Sequence, residues 1–198
     1  MLVGLTGMYC AGKNLVAALL EKRGFPVLDV DKLGHTALES QQTAIFSRFG
    51  EDIRNQDGSV NRRLLGARVF GDKNNLADLE AIIHPEANRL TMQWLATHND
   101  KTCIINAALL HKSIVFERLD CIILVNAPLF ARLIRAKRRD RLSWPGIITR
   151  MWSQRHFFTQ YSAGNADIYI VENPGLRETR GFTGIENRIN AILSKLEL

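Results

Sequence analysis

The stretch "VGLTGMYCAGKN", Val3 to Asn14, decides the fold. Within it, the residues from Gly7 to Lys13 fill the pattern G-x-x-x-x-G-K, which is typical of a loop that binds phosphate groups. The pattern follows a strand-like apolar run and opens a segment with helical spacing, a context that makes it more specific. Because successive backbone N–H groups and a helix N-terminus attract anions, we predict a polyphosphate site here.

The position after the lysine departs from this pattern. It holds Asn14, where a Ser or Thr hydroxyl usually binds magnesium. Magnesium prefers an octahedron of oxygen ligands about 2.1 Å away, and an amide oxygen lies one bond further from the backbone than a hydroxyl. We therefore expect Asn14 to be a weak metal ligand, direct or through a water, whereas Lys13 still neutralises the transferred phosphate.

Strand-like and helix-like segments alternate along the rest of the chain. Five apolar runs predict strands: "MLVGLT", "FPVLDV", "KTCIINA", "CIILVNA" and "ADIYIV". Helical spacing is found in "KNLVAALLEKRG", between Gln41 and His98, in "LLHKSIVFERL" and in the C-terminal "GIENRINAILSKLEL", and Pro85 should bend or interrupt the second of these. This alternation predicts an α/β fold with a parallel sheet, whose ligands bind at the carboxyl ends of the strands.

Bulk composition restricts the class of protein. The 198 residues, 46% of them hydrophobic, fit one domain with a sizeable core. No apolar run resembles a signal peptide or approaches the roughly 18 residues of a membrane span, so we expect a cytoplasmic protein without a membrane partner. The three cysteines are widely spaced, and we expect Cys103 and Cys121 to be buried thiols and Cys10 to be an exception.

The formal net charge of +6 is concentrated between Arg132 and Arg141, where five arginines and one lysine accompany one aspartate. Such a run is most often a solvated helix face. Alternatively, it binds nucleic acid or the phosphates of a substrate. Aromatic residues do not alternate with these arginines, which argues against stacking on single strands, and we expect no nucleic-acid partner.

Several short motifs follow one another in a fixed order. They are "LTG" before the loop, "VLDVD", "QDGSVNRRLLGARVFGD", "LEAIIHP", the R-x-x-x-R-D of Arg135, Arg139 and Asp140, Gln154, and "NADIYIVENPG". Each motif alone is weak. Their order and spacing resemble those of the dephospho-coenzyme A kinase family through nearly the whole chain.

This resemblance implies a function and an architecture. The family transfers the γ-phosphate of ATP to the ribose 3′-hydroxyl of dephospho-coenzyme A, the last step of coenzyme A biosynthesis, and uses Mg²⁺. The implied fold is a P-loop NTPase with three α/β/α layers around a five-stranded parallel sheet. The implied parts are a core (about 1–40, 100–128 and 164–198), a helical substrate-binding insertion (about 41–99) and a helical lid (about 129–163).

The resemblance also implies roles for individual residues. The nucleotide contacts would be Gly7, Cys10, Ala11, Gly12, Lys13, Asn14, Leu15, Arg135 and Arg139. The contacts to dephospho-coenzyme A would be Asp31, Arg62, His84 and Leu109. Lys13, Asp31 and Arg139 would be catalytic. Lid arginines suit a transferring phosphate because their planar donor groups match its oxygens.

Two of these residues have plainer alternatives. Asp31 could orient or deprotonate the acceptor hydroxyl, and it could also cap the helix that follows, since the two roles are compatible. Asp29 is expected to be structural. His84 either contacts the coenzyme or is a packed core histidine.

A second departure from the family lies in "NAALLHKS", where the family has D-x-P-L-L-F-E. Asn106 replaces the acid that would hold a metal-bound water, and Lys112 replaces the later glutamate. Two amides near the expected magnesium leave two possibilities, an active enzyme or impaired metal-dependent transfer. We favour the active enzyme, because Lys13, Asp31 and the lid arginines remain together. The rivals are a kinase for a nucleoside monophosphate and a non-catalytic nucleotide-binding protein, and the oligomeric state is not predicted.

Overall fold

The computed structural model describes residues 1–140, 142–155, 157–161, 166–174 and 178–198. The chain divides into two compact units. The first comprises Met1–Leu28 and Asp100–Leu198, and the second comprises Asp29–Asn99. The division into core, substrate-binding part and lid stays a prediction. Arg141, at the end of the arginine-rich run, lies outside the described residues, as do Asn165 and Gly175 of the last motif.

A five-stranded parallel sheet organises the first unit. The strands are β1 (Leu2–Gly7), β2 (Val27–Asp29), β3 (Cys103–Asn106), β4 (Cys121–Asn126) and β5 (Asp167–Glu172), in the spatial order β2-β3-β1-β4-β5. The register pairs Leu5 with Asn106, and Gly7 with Val125. The order reverses at β1, and such a switch point opens a crevice at the carboxyl ends of the strands. The loop that begins at Gly7 lies at this crevice.

The helices of the first unit are α1 (Lys13–Lys22), α6 (Leu129–Asp140), α7 (Trp144–Ser153) and α8 (Glu178–Lys195). The apolar faces of α1 and α8 pack on one face of the sheet, where Val16, Leu20, Ile185 and Ile189 share a core with the strands. On the opposite face, Leu110 and Leu119 lie so close to Gly4 that a β-carbon there would be 2.6 and 2.8 Å from their side chains. Both faces are therefore covered, which confirms the α/β prediction.

The second unit is helical and has its own core. It contains α2 (Val30–Ser40), α3 (Gln42–Phe49), α4 (Arg62–Val69) and α5 (Lys73–Ala96). Its buried cluster consists of Ile45, Phe46, Phe49, Ile53, Val60, Leu65 and Val69. Helix α2 packs against α5 within this unit, so the boundary falls at Asp29, earlier in the chain than the expected boundary near residue 41.

Three local expectations need correction. The segment "LLHKSIVFERL" forms two 3₁₀ turns, Leu110–Lys112 and Phe116–Arg118, instead of one helix. The second strand is only three residues long, because α2 begins at Val30. Helix α5 continues through Pro85, so the proline does not interrupt it. A proline removes one backbone hydrogen bond from a helix, and α5 packs against α2, α3 and α4 in this unit.

Candidate functional site

The loop between β1 and α1 requires its two motif glycines. A β-carbon on Gly7 would lie 2.8 Å from the Val125 carbonyl oxygen, and one on Gly12 would lie 2.3 Å from Nδ2 of Asn173. Gly12 also has a φ of 103°, in the left-handed region that favours glycine, and it directly precedes the first residue of α1, Lys13. The backbone therefore follows the tight path of a phosphate-binding loop.

Side chains from outside the loop bind its carbonyl groups. Nη1 of Arg135 donates to the carbonyl oxygens of Ala11 at 3.1 Å and Cys10 at 3.4 Å. Nδ2 of the buried Asn173 donates to the same Ala11 oxygen at 2.7 Å, and Asn173 Oδ1 accepts from Nη2 of Arg135 at 3.0 Å. Because N–H and C=O point in opposite directions across a trans peptide, the bonded Ala11 carbonyl directs the Gly12 N–H to the other side of the loop. That orientation suits an anion.

Cys10 occupies an unusual place in this loop. Its φ is 59°, which is rare for a residue with a side chain, and its thiol is half-buried. Burial raises the pKa of this thiol, while the nearby Arg139 and Arg135 lower it. Cys103 and Cys121 are buried, as expected, and burial raises the pKa of Cys121 to about 11.

Tyr9 joins the loop to helices α6 and α7. Its backbone N–H donates to Oε1 of Gln154 at 2.6 Å, and its hydroxyl donates to the carboxylate of Asp140. The guanidinium groups of Arg139 and Arg150 lie 5.3 and 5.9 Å from the Tyr9 ring centroid, within range of a cation–π interaction. The loop is therefore attached to the arginine-rich segment on this side as well.

Arg139 and Asp140 form an ion pair beside Tyr9, and this pair keeps both side chains charged. Nε of Arg139 lies 2.6 Å from Oδ1 of Asp140. The hydrogen bond from Arg139 lowers the pKa of Asp140 to about 2, and the bond from Tyr9 acts in the same direction. The same ion pair raises the pKa of Arg139. Both side chains are thus fully charged at neutral pH, with Arg139 still 60% exposed to solvent.

The arginine-rich segment does not form a single solvated face. On α6, Arg132 is 6% exposed and Arg135 is partly buried against the loop, whereas Arg138 and Arg139 are exposed. The plain interpretation of this run as a solvated face is therefore wrong for Arg132 and Arg135. Burial lowers the pKa of both groups.

Two asparagines lie at strand ends beside the loop. Asn106, at the end of β3, is 2% exposed, and its Oδ1 has no hydrogen-bond partner among the described residues. Asn126, at the end of β4, donates from Nδ2 to Glu172 at 2.9 Å. A buried acceptor without a donor usually indicates a missing water, ion or ligand group.

The second unit contains three of the candidate substrate residues. Asp31 lies exposed in the first turn of α2, and the N-cap of that helix is Asp29, whose carboxylate accepts from the Lys32 N–H at 3.2 Å. The structural expectation for Asp29 is confirmed, and the capping alternative for Asp31 is wrong. His84 is exposed on α5, so the alternative of a packed core histidine is also wrong.

Arg62 lies at the start of α4, and its Nη2 is 2.7 Å from Oε1 of Glu39. These two side chains line a cleft of about 370 Å³ in the second unit, together with Leu38, Asn55, Ser59, Val60 and Asn61. The remaining candidate, Leu109, belongs to the first unit and is 53% exposed just before a 3₁₀ turn.

The structure thus brings together Gly7, Cys10, Ala11, Gly12, Lys13, Arg135 and Arg139 in the first unit. Asn14 and Leu15 follow on the first turn of α1. Sequence reasoning did not select Tyr9 or Asn173, and it included Arg132 only as the first residue of the arginine-rich run. Asn173 lies in a quoted motif and could have been chosen from it, whereas burial of Arg132 leaves no signal in a run of arginines.

In the part of the chain that the structure describes, no three His, Cys, Asp or Glu side chains are grouped to hold a metal ion. No helix among those residues is both long and apolar enough to cross a membrane.

Comparisons with known proteins agree on one family. The family model for dephospho-CoA kinase, CoaE, matches residues 1–178. A dephospho-CoA kinase of Anaeromyxobacter dehalogenans is 37% identical over 183 residues, 89% of this chain and 85% of that protein. One of Thermus thermophilus is 32% identical over 196 residues, 99% of this chain and 92% of that protein.

The fold comparison gives the same result. The crystal structure of TT1252 from Thermus thermophilus is similar to this chain with a TM-score of 0.82 and 32% identity, covering 99% of this chain and 97% of that one. Because the family model covers most of the chain and the related sequences span nearly all of it, the chain belongs to the dephospho-CoA kinase family.

Proposed function

We propose that this protein is a phosphotransferase that moves the γ-phosphoryl group of ATP to the ribose 3′-hydroxyl of dephospho-coenzyme A. Family membership supports the reaction. The observation that carries the proposal is the loop itself, whose carbonyl groups are bound by Arg135 and Asn173, so that backbone N–H groups and the start of α1 are available to a polyphosphate.

Lys13 and Arg139 provide positive charge for the transferring phosphoryl group. Lys13 is the first residue of α1, directly after the left-handed Gly12. Arg139 lies beside Tyr9 of the loop and is held there by Asp140. Phosphoryl transfer spreads charge over the equatorial oxygens and requires little covalent participation by the protein, so fixed cations are the main contribution that this site can make.

Asp31 is our choice for orienting or deprotonating the acceptor hydroxyl. Its carboxylate is exposed in the first turn of α2, and Asp29 already supplies the cap, so Asp31 is not needed for that structural role. We assign Arg62, His84 and Leu109 to binding of dephospho-coenzyme A. The cleft beside Arg62 supports this assignment, because Glu39 holds the guanidinium at its wall, where a phosphate could replace the carboxylate.

Mg²⁺ fits this site as an ion whose ligands are mainly the nucleotide phosphates and waters. Oδ1 of Asn106, which has no hydrogen-bond partner in the described part of the chain, can accept from a metal-bound water, and Asn14 offers a second amide oxygen. When bound, the ion would supply charge neutralisation of the β- and γ-phosphates. With no carboxylate cluster among the described residues, we expect affinity for the free ion to be low.

The test is an acceptor panel with a coupled assay for ADP. Dephospho-coenzyme A should support turnover, and AMP and other nucleoside monophosphates should not. Asp31→Asn should reduce kcat about 100-fold or more while the KM for ATP stays within about threefold. Glu21→Gln is the control, since it removes an exposed carboxylate that the proposed site does not use and should not reduce kcat comparably.

Two results would redirect the assignment. Faster turnover with a nucleoside monophosphate would indicate a related kinase. The amides at Asn14 and Asn106 favour the other alternative, a nucleotide-binding protein with impaired catalysis, and tight ATP binding without turnover at high enzyme concentration would support it.

A further inference from the structure

The side chain of Arg139 is not fixed by packing alone. It lies in the last turn of α6 and is 60% exposed to solvent. Its Nε and Nη2 donate to Oδ1 and Oδ2 of Asp140 at 2.6 and 3.0 Å. Because Asp140 is the next residue in the chain, this pair moves with the end of α6. The pair alone therefore cannot fix the guanidinium relative to the phosphate loop.

Tyr9 makes the contacts that join this pair to the loop. Its hydroxyl donates to Oδ2 of Asp140, and its ring centroid lies 5.3 Å from Cζ of Arg139. A hydrogen bond to a charged acceptor is stronger than one between neutral groups, and an aromatic ring attracts a guanidinium. One loop side chain thus contacts both members of the pair.

The backbone around Tyr9 is itself held by hydrogen bonds. The Tyr9 N–H donates to Oε1 of Gln154 at 2.6 Å, directly after α7. The N–H of Met8 donates to the carbonyl oxygen of Val125 on β4 at 3.3 Å, and the Met8 carbonyl accepts from the N–H of Ala11 at 2.9 Å. The ring and hydroxyl of Tyr9 therefore extend from a backbone whose position is determined by its neighbours.

The phosphate pattern does not require the side chain of Tyr9. Tyr9 occupies one of the four variable positions of G-x-x-x-x-G-K, a pattern whose backbone N–H groups bind the phosphates. The path of the loop depends on Gly7, Gly12 and the bonds to the Ala11 carbonyl. We therefore expect the loop to keep its affinity for ATP when the tyrosine side chain is shortened.

We infer that Tyr9 is a positioning residue for phosphoryl transfer: its hydroxyl and ring hold the pair of Asp140 and Arg139 against the phosphate loop, so that the Arg139 guanidinium is in place when the phosphoryl group moves. This inference rests on the proposed function, which assigns charge stabilisation to Arg139. A cation that is already in position needs no reorganisation during the reaction. Tyr9 thus contributes to kcat through Arg139, and not to the affinity for ATP.

The test is a double-mutant cycle between Tyr9 and Arg139, with phosphorylation of dephospho-coenzyme A by ATP as the measured reaction. Tyr9→Phe removes the bond to Asp140 but keeps the ring, and it should lower kcat about three- to tenfold. Tyr9→Leu removes both contacts and should lower kcat about 10- to 30-fold. The KM for ATP should stay within about threefold of the wild-type value in both variants.

The decisive measurement repeats both substitutions in an Arg139→Ala background. With no guanidinium left to position, neither Tyr9→Phe nor Tyr9→Leu should change kcat further by more than about twofold. The matched control is Trp152→Leu. It removes another exposed ring that lies beside an arginine, with 5.7 Å between the ring centroid and Cζ of Arg155. This variant should keep kcat within about twofold of the wild type, because an exposed cation–π contact contributes little to stability.

A merely structural role for Tyr9 predicts a different pattern, in which the KM for ATP rises and the fold-loss of kcat is the same in both backgrounds. That pattern, or wild-type kcat for Tyr9→Leu, would overturn the inference and leave the proposed function intact. Wild-type kcat for Arg139→Ala would overturn both the role assigned to Arg139 and the inference. Failure of the wild-type protein to phosphorylate dephospho-coenzyme A would overturn the proposed function itself.

Discussion

Asn14 shows how one side chain can alter the metal requirement without altering the loop. It lies exposed on the first turn of α1, after the lysine that completes the phosphate pattern. The backbone geometry of the loop depends on Gly7, Gly12 and the bonds to Ala11, none of which involves the side chain of Asn14.

We predict that Asn14→Ser lowers the magnesium concentration needed for half-maximal activity, because a hydroxyl reaches the ion better than the longer amide. The fold should remain unchanged. Initial rates at saturating substrates, measured across a magnesium titration, test this. An identical titration for the variant and the wild type would mean that position 14 does not contact the ion or its waters.

A comparison of Gly12 with Gly24 separates the cost of a positive φ from the cost of a steric clash when glycine is replaced by alanine. Both have positive φ, 103° and 89°, but a β-carbon on Gly12 would meet Asn173, whereas one on Gly24 would meet nothing within 4 Å. Gly24→Ala should therefore cost only the left-handed conformation, about 1–2 kcal/mol of unfolding free energy. Gly12→Ala should cost more and also weaken ATP binding. Urea denaturation of both variants tests this, and equal costs would show that Asn173 moves aside easily.

At the level of elements, the loop is attached to α6, α7 and the end of β5 at once. Asp140 is central to this arrangement because it accepts from Tyr9 and pairs with Arg139, with Arg150 3.7 Å away. Its pKa of about 2 is below the ordinary value of 3.8.

This shift sets the pH range in which Asp140 stabilises the fold. A carboxyl group with a lowered pKa in the folded state contributes stability that is fully present above its unfolded pKa and is lost as pH falls toward the folded value. The contribution should therefore be complete above about pH 4.5 and decline between about pH 4 and pH 2. Asp140→Asn should be less stable at pH 7, and its difference from the wild type should shrink below pH 4 in denaturant titrations. A constant difference across this range would contradict the pairing.

The sequence predicted the elements whose burial pattern is simple and missed those decided by tertiary packing. The apolar runs on both sides of the loop correctly predicted β1 and α1. The spacing of Ile185, Ile189 and Ile192 correctly predicted the buried face of α8. In the segment after β3, the buried residues are Leu110, Val115 and Leu119, a spacing of five and then four that does not keep one helix face toward the sheet. Two 3₁₀ turns satisfy that spacing instead.

Residues of the candidate site could be predicted only where they belong to a recognisable sequence motif. The phosphate loop and the Arg135, Arg139 and Asp140 motif are local in sequence. A motif contains Asn173, but its bond to the loop joins positions 162 residues apart, so the motif does not reveal the partner. The burial of Arg132 depends on the packing of α6 and has no local signal.

At the scale of the whole molecule, each unit is stabilised by its own core, and the phosphate-loop motif lies in the first unit. In the first unit, the hydrophobic core around β1, α1 and α8 packs next to the loop. In the second unit, the core around Phe46 and Phe49 stabilises the helical part that contains Asp31 and Arg62. The net charge of +6 suits substrates that carry several phosphates.

The most direct measurement of the central claim is phosphorus NMR of a reaction that contains the protein, ATP, magnesium and dephospho-coenzyme A. We expect the γ-phosphate signal of ATP to be replaced by a ribose 3′-phosphomonoester signal, in a one-to-one ratio with ADP, and we expect Lys13→Ala to lose most of this conversion. Release of inorganic phosphate without the 3′-monoester, or no consumption of ATP with enzyme equimolar to substrate, would contradict the account.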